Sequence, residues 1–258
     1  MQVLFPQQHG PVSDEQLLER YASDTRPFIR FNFISSLDGS AQLAGLSGEL
    51  GTPADARVFA LLRRLASVVL VGSGTVRAEG YDGELVDQQA ANWREAHGLS
   101  RHPVLAVISF GLNIDPQATV LTNSPAPVLL FTCAEFSAQT AASYPQHVQL
   151  IRVPQYQGGC DARAIVAQLL QRGLDFIHAE GGPHIFGQFI AQDLVDSLCV
   201  SFSPRLVAGS GIRIAQATSE TELSLPLYSV LEEAGMLLNE YRRTTNPSAS
   251  TSQDEPSR

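Results

Sequence analysis

The residues best placed to do chemistry lie at one junction between a strand and a helix. Phe176–Ala179 has the pattern of a short buried strand, Glu180 stands at its carboxyl end, and Pro183 lies where a helix would begin. Gly181 and Gly182 separate the two elements. A helix N-terminus offers free backbone N–H groups and the positive end of its dipole, so this junction suits an anion. A tight turn that binds nothing would have the same local sequence.

A second glycine-bordered junction follows the run Ser67–Gly72, whose β-branched residues predict a central strand buried on both faces. Gly72, Gly74 and Thr75 would let the backbone come close to a cofactor and offer it a hydroxyl. The Gly-x-Gly-x-x-Gly fingerprint is absent, because its third glycine position holds Arg77. An ordinary dinucleotide-binding site is therefore not favoured.

Three further charged residues stand near the ends of predicted elements. Asp38 follows the strand at Phe28–Ser35, where it is either a functional carboxylate or an Asx-turn that caps its own loop. Arg63 and Arg64 lie near the end of a helix that begins at Thr52, and they point in different directions. At least one of the two should be solvated, and the other could reach a site at the helix end.

Several kinds of chemistry are excluded by composition and spacing. The chain has no lysine, which removes both a P-loop and Schiff-base catalysis. Ser73 and Ser210 lack the Gly-x-Ser-x-Gly spacing of a serine hydrolase. His178-Ala-Glu180 matches half of the zinc deaminase signature, but no Pro-Cys-x-x-Cys follows. We therefore expect no metal site.

Charge and hydropathy exclude further classes of protein. A net charge of −9 argues against general nucleic-acid binding, and no apolar run reaches the roughly 20 residues of a membrane helix. The N-terminus does not have the pattern of a secretory signal. Three cysteines far apart fit a reducing compartment. These features predict a cytoplasmic protein that binds neither membranes nor nucleic acid.

The order of elements predicts the fold class. Strands alternate with helices, and a hairpin formed by Leu227–Glu232 and Met236–Arg243 closes the series. This order is typical of an α/β domain with a mainly parallel sheet, helices on both faces and an antiparallel edge. We expect one domain at 27–243, an N-terminal extension at 1–26 and a disordered tail at 244–258. The residues alone lead to an α/β protein that binds a nucleotide-like ligand.

Several motifs in one order carry a resemblance to a known family over residues 27–243. They are Ser36-Leu-Asp-Gly39, Leu61-Leu-Arg63, Val71-Gly-Ser-Gly-Thr-Val-Arg-Ala-Glu-Gly-Tyr81, Glu180-Gly-Gly-Pro183, Leu194-Val-Asp196 and Ser203-Pro204. Together they resemble the bacterial riboflavin-biosynthesis reductases, the reductase domain of the bifunctional deaminase–reductase. This resemblance implies a dihydrofolate-reductase-like fold, a mixed and mainly parallel sheet flanked by helices, in a homodimer.

The resemblance also implies an activity, the NADPH-dependent reduction of 5-amino-6-(5-phosphoribosylamino)uracil. Hydride would go to the sugar C1′ of an opened imine, with a carboxylate or water supplying the proton. One alternative is reduction of another heterocycle, such as dihydrofolate or a dihydropterin. An alternative of another class is a nucleotide-binding regulatory protein that is not an enzyme.

The family's site residues, carried over by position, fall into three groups. Asp38 and Glu180 would be catalytic, with Asp38 close to the nicotinamide, and Gly48, Arg63 and Glu180 would contact substrate. Ser109 would lie near the adenosine 2′-phosphate. The full set of implied cofactor contacts is Ile34, Leu50, Gly72, Thr75, Glu79, Ser109, Gly181, Gly182, Pro183 and Gly187.

The chain departs from the family at three places. Asn32 stands where the family often has a lysine, and Leu50 stands where it has a tryptophan or a similar side chain. Residues 79–85 contain acids and no base, where the family has an arginine for the substrate phosphate. Arginines within 205–213, or arginines of a partner subunit, are the candidates to replace those bases.

Overall fold

One ten-stranded sheet runs through the computed structural model, which describes residues 1–7 and 10–243. The predicted tail at 244–258 lies outside the described residues. The strands of this sheet in chain order are β1 (Gln2–Phe5), β2 (Phe28–Ser36), β3 (Val68–Gly72), β4 (Val104–Ile108), β5 (Val128–Thr132), β6 (Val148–Arg152), β9 (Phe176–Ala179), β10 (Ser197–Ser203), β11 (Leu227–Glu233) and β12 (Met236–Arg242). The remaining two strands, β7 (Gln155–Tyr156) and β8 (Gly159–Cys160), form a separate two-stranded sheet.

Eight α-helices and a 3₁₀ turn at Gly48–Leu50 accompany these strands in the described part of the chain. The helices are α1 (Asp14–Tyr21), α2 (Pro53–Leu65), α3 (Ser73–Glu79), α4 (Gln88–Ala96), α5 (Thr119–Thr122), α6 (Ala138–Ala142), α7 (Ala162–Leu170) and α8 (Pro183–Ala191). Local signals set their starts. For example, the Thr52 side chain accepts a hydrogen bond from the Asp55 N–H, and Pro53 opens α2.

The spatial order of the large sheet is β1-β11-β12-β10-β2-β9-β3-β4-β5-β6. The run from β10 to β6 is parallel, whereas β12, β11 and β1 are antiparallel to their neighbours. The predicted fold class, a mainly parallel sheet with an antiparallel C-terminal edge, is confirmed. Residues 1–26, which we treated as an extension, contribute β1 to that edge and pack α1 against α2.

Both faces of the sheet are covered, as the unbroken apolar run of β3 predicts. Val68 and Leu70 belong to a core with α7 and α8, while Val69 and Val71 belong to a second core on the opposite face. A third core joins α1 and α2 to the antiparallel edge. Because β3 is buried among parallel neighbours, its carboxyl end and those of β2, β4 and β9 meet at one edge of the sheet.

Candidate active site

Two cavities open at the carboxyl ends of these central strands. One, of about 670 Å³, follows the starts of α3 and α8, and we call it the glycine groove. The other, of about 730 Å³, lies between β2, α2 and the segment 79–84, and we call it the acidic cavity. Thr75 and Glu79 line both cavities, so the two spaces are neighbours. This arrangement can hold two ligands side by side.

The glycine groove is built by close backbone contact between the two predicted junctions. The Gly72 N–H donates a hydrogen bond of 2.8 Å to the Gly181 carbonyl. A Cβ on Gly72 would lie 2.7 Å from Ile185 Cδ1, and a Cβ on Gly182 would lie 3.0 Å from Thr75 Oγ1. A side chain at either position would crowd Ile185 or Thr75, and glycine avoids this, so the start of α8 lies at the wall of the groove. The first N–H groups of a helix have no partner within the helix and suit a phosphate.

The remaining wall of the groove is mostly apolar and uncharged. Ile108 and Phe110, at the end of β4, lie in it together with Gln157 and Gln188. Among the described lining residues, His184 is the one side chain able to carry a positive charge. The residues present fit a flat, partly apolar cofactor with a pyrophosphate, because the glycines leave room and α8 supplies donors.

Glu180 lies at the centre of a buried cluster at the border of the acidic cavity. Its carboxylate accepts two hydrogen bonds from Arg63, from Nε at 2.6 Å and from Nη2 at 2.8 Å. The Tyr81 hydroxyl donates to Glu180 Oε2 at 2.6 Å. The Arg63 guanidinium also lies 4.3 Å from the Phe59 ring centre. The bidentate pair joins α2 to the end of β9, and the Tyr81 hydrogen bond adds the segment that follows α3.

The environment fixes the protonation states within this cluster. Burial raises the pKa of Glu180, but the charge and hydrogen bonds of Arg63 outweigh it and hold that pKa well below its usual value. Burial and the Glu180 charge raise the pKa of the Tyr81 hydroxyl. Burial lowers the pKa of His178, whose Nε2 lies 3.5 Å from Glu180 Oε1. At neutral pH Glu180 is thus a carboxylate, Tyr81 a phenol and His178 an uncharged ring.

The acidic cavity takes its character from the carboxylates around it. Those that line it are Asp55, Glu79, Asp82, Glu84 and Glu180, whereas Arg63 is the one basic residue among the described lining residues. Burial raises the pKa of Asp55. Glu79 Oε1 accepts the Ser47 N–H at 2.8 Å and so ties the 3₁₀ segment to α3.

Asp38 lies apart from both cavities. It is exposed, and its carboxylate accepts hydrogen bonds from the Val207 and Ala208 N–H groups, the latter at 2.7 Å. The Ser36 hydroxyl also donates to it, at 2.5 Å. The Ser36 bond first, and then the two backbone bonds, lower the pKa of Asp38 to about 2. The sequence allowed two interpretations of Asp38, a functional carboxylate or a cap of its own loop. These contacts match a loop cap, but the loop that Asp38 caps is the one after β10.

The other positions implied by the resemblance divide between the cavities and the core. Leu50 and Ser109 are fully buried, and a Cβ on Gly187 would lie 1.9 Å from the Gln216 carbonyl oxygen, so these three do not line either cavity. Gly181 contributes backbone contacts. The glycine groove is lined by Gly72, Thr75, Glu79, Gly182 and Pro183, and the acidic cavity by Ile34, Gly48, Arg63, Thr75, Glu79 and Glu180.

Tyr81 is the functional candidate to which sequence reasoning gave no role. It closes the Val71–Tyr81 motif, but only the folded chain brings its hydroxyl onto Glu180. Within residues 1–7 and 10–243, no group of three or more His, Cys, Asp or Glu side chains could hold a metal ion. No helix in these residues is long and apolar enough to cross a membrane.

Two known proteins illustrate what this chain is similar to. The Escherichia coli riboflavin biosynthesis protein RibD is 28% identical over 193 residues, which cover 72% of this chain and 50% of that protein. The 2,5-diamino-6-ribosylamino-4(3H)-pyrimidinone 5′-phosphate reductase of Methanothermobacter thermautotrophicus is 24% identical over 188 residues, which cover 73% of this chain and 82% of that protein. The chain spans about half the length of the bacterial RibD proteins it matches.

Solved structures agree with this fold. A pyrimidine reductase-like protein from Corynebacterium diphtheriae superposes with a TM-score of 0.75 at 24% identity, covering 91% of this chain and 100% of that one. The Thermotoga maritima deaminase/reductase superposes with a TM-score of 0.66 at 22% identity, covering 89% of this chain and 60% of that one. The family model described as the RibD C-terminal domain matches residues 27–232. This chain therefore belongs to the RibD C-terminal domain family.

Proposed function

We propose that this chain is an NADPH-dependent reductase that converts a ribosylamino-pyrimidine of the riboflavin pathway to its ribitylamino form. The default substrate is 5-amino-6-(5-phosphoribosylamino)uracil. One observation carries the proposal: the glycine groove and the acidic cavity adjoin through Thr75 and Glu79, at the sheet edge where α/β proteins bind ligands. The similarity to the E. coli riboflavin biosynthesis protein and to the M. thermautotrophicus pyrimidinone reductase supports it.

The glycine groove would hold the cofactor. Gly72 and Gly182 leave room for its pyrophosphate beside the start of α8, and Thr75 offers a hydroxyl at the border of the two cavities. Bound NADPH supplies the hydride for the reduction. We propose NADPH over NADH on the resemblance, which also supports a homodimer with 27–243 as the reductase domain. A cytoplasmic location is proposed from the cysteine usage and the N-terminal sequence.

The acidic cavity would hold the pyrimidine. Because Arg63 keeps Glu180 ionised, Glu180 serves to orient Arg63 and Tyr81 against the substrate and does not give up a proton. The Tyr81 proton is likewise committed to Glu180. We propose that the proton that completes the reduction comes from water that enters the cavity. Asp38 positions the loop after β10.

The test combines binding with turnover. NADPH should raise the melting temperature, and more than NADH does, since any ligand of the native state stabilises it. NADPH oxidation should then follow addition of the ribosylamino-pyrimidine. Consumption only with a dihydropterin would support the alternative substrate. Binding of NADPH without turnover of either compound would support a regulatory nucleotide-binding protein. If NADPH does not change the melting temperature, both reductase assignments are wrong.

A further inference from the structure

We infer that the substrate of the acidic cavity carries no phosphate, so that this reductase acts on the dephosphorylated ribosylamino-pyrimidine. The inference rests on the proposed function and narrows its substrate. It depends on the charges of the cavity wall, which would repel a phosphate dianion and offer it no uncommitted basic side chain.

Carboxylates surround the space that a sugar phosphate would have to enter. Asp82 and Glu84 are exposed at the border of the cavity, and Glu79 and Asp55 stand deeper in its wall. The structure gives none of these four carboxylates an ion pair with a basic side chain in the described chain. Walls of one charge focus their field into a cleft, so an anion is excluded and a neutral or cationic group is attracted.

The one basic residue of the wall is already committed. Arg63 gives Nε and Nη2 to Glu180, and its Nη1 lies 3.4 Å from the Leu85 carbonyl oxygen. A phosphate that captured this guanidinium would leave the buried Glu180 carboxylate without its counter-ion. Breaking a buried pair in this way is strongly unfavourable. Arg63 is therefore a structural cation and not a free phosphate ligand.

The arginines that we named as replacements do not reach the cavity in this chain. Arg205 donates to the Glu49 carbonyl at 2.8 Å, and Arg213 is exposed; neither lines the acidic cavity. Asn32, where the family often has a lysine, does line it and adds no charge. Of the positions that depart from the family, Asn32, residues 79–82 and Glu84 thus contribute to the wall of the acidic cavity, whereas Leu50 does not.

A substrate that ends in hydroxyl groups matches this wall. A ribose without phosphate offers O–H donors, and the pyrimidine amino groups offer N–H donors, to the carboxylates of Asp82, Glu84 and Glu79. Hydrogen bonds to an ionised acceptor are stronger than those between neutral groups. The cavity is therefore suited to an amino-substituted, polyhydroxylated ligand of zero or positive charge.

Binding of the two ribityl products tests the inference without the need for turnover. The NADP⁺-loaded full chain is titrated calorimetrically with 5-amino-6-ribitylaminouracil and with its 5′-phosphate. We expect the unphosphorylated compound to bind at least tenfold more tightly, and the ratio to shrink as salt is raised, because screening weakens the repulsion. Glu84→Arg should lower the ratio severalfold by improving binding of the phosphate. Glu19→Arg, the same charge change on exposed α1, should leave it unchanged.

Three results of this titration would each contradict a different part of the account. Tighter binding of the phosphorylated product by the unaltered chain overturns the inference and leaves the proposed function standing; arginines from a partner subunit would then be its source. Binding of neither product by a chain that binds NADP⁺ overturns the proposed function, and the inference with it. A ratio that Glu84→Arg does not move overturns the assignment to this wall.

Discussion

The two halves of the site are built in opposite ways. The glycine groove is made by backbone: Gly72 and Gly182 bring two strand ends and a helix start together, and side chains only finish the wall. The acidic cavity is made by side chains: the buried ion pair of Arg63 with Glu180 joins α2 to the end of β9, and Tyr81 adds the segment after α3. A backbone site accepts any pyrophosphate of the right shape, whereas a side-chain site changes its ligand with a few substitutions. Substitutions in each half test this difference.

Loss of the Arg63–Glu180 pair should produce the largest effect. Arg63→Ala leaves a buried carboxylate without its counter-ion, so we expect a loss of about 3–5 kcal/mol in the free energy of unfolding. Arg57→Ala is the matched control on the same helix, because its ion pair with Asp14 is partly exposed. That variant should lose about 0–1 kcal/mol. Urea denaturation measures both, and equal losses would contradict the central role of the buried pair.

The glycine groove should respond to a single methyl group. Gly72→Ala forces its Cβ against Ile185, so we expect it to cost about 1–3 kcal/mol of stability and to weaken NADPH binding. At Gly74, by contrast, an added Cβ meets nothing within 4 Å. Gly74→Ala should stabilise α3 by up to about 1 kcal/mol. Thermal melts with and without NADPH measure the pair, and a neutral Gly72→Ala would refute the close approach.

Tyr81 offers a finer test of the acidic cavity. Tyr81→Phe removes one hydrogen bond to the Glu180 carboxylate while Arg63 stays in place, so stability should fall by about 1.5–3 kcal/mol. If the phenol orients substrate, kcat/KM for the pyrimidine should fall as well, with the Kd for NADPH unchanged. Glu180→Gln should likewise lower turnover far more than cofactor affinity. An unchanged kcat/KM in both variants would remove the cluster from the substrate site.

Substitution of Asp38 should have the smallest effect on stability, and this effect should be measurable only at acidic pH. Its pKa falls from 3.8 to about 2 on folding, so its contribution to stability is complete above pH 4 and is lost as the pH falls toward 2. Asp38→Asn should therefore unfold with a shallower dependence on pH within this window. At pH 7 we expect turnover close to that of the unaltered chain. A large loss of turnover with no change in the loop after β10 would restore Asp38 to the catalytic residues.

Much of the fold followed from local sequence. The apolar run of β3, the Thr52 cap and the closing hairpin were predicted because each depends on residues close together in the chain. The β1 strand was not predicted, since its partner Leu231 lies more than 200 residues away and only that pairing makes Gln2–Phe5 a strand.

The site was predicted only in part, because some of its residues meet only in the folded chain. The glycine junctions are local signals, and they lie where they were expected. The resemblance placed Arg63 and Glu180 together in the substrate site, whereas the contact of Tyr81 with them depends on how α2 and α3 pack over the sheet. Leu50, Ser109 and Gly187 are buried and do not line either cavity, so their role as cofactor contacts stays a prediction.

Transfer of a labelled hydride tests the central claim most directly. NADPH carrying deuterium at the transferred position is incubated with the full chain and the ribosylamino-pyrimidine, and the product is analysed by mass spectrometry and NMR. We predict a ribitylamino product with a single deuterium at C1′. Oxidation of NADPH without label at C1′, or no reaction by a chain that binds NADPH, would contradict the proposed reductase.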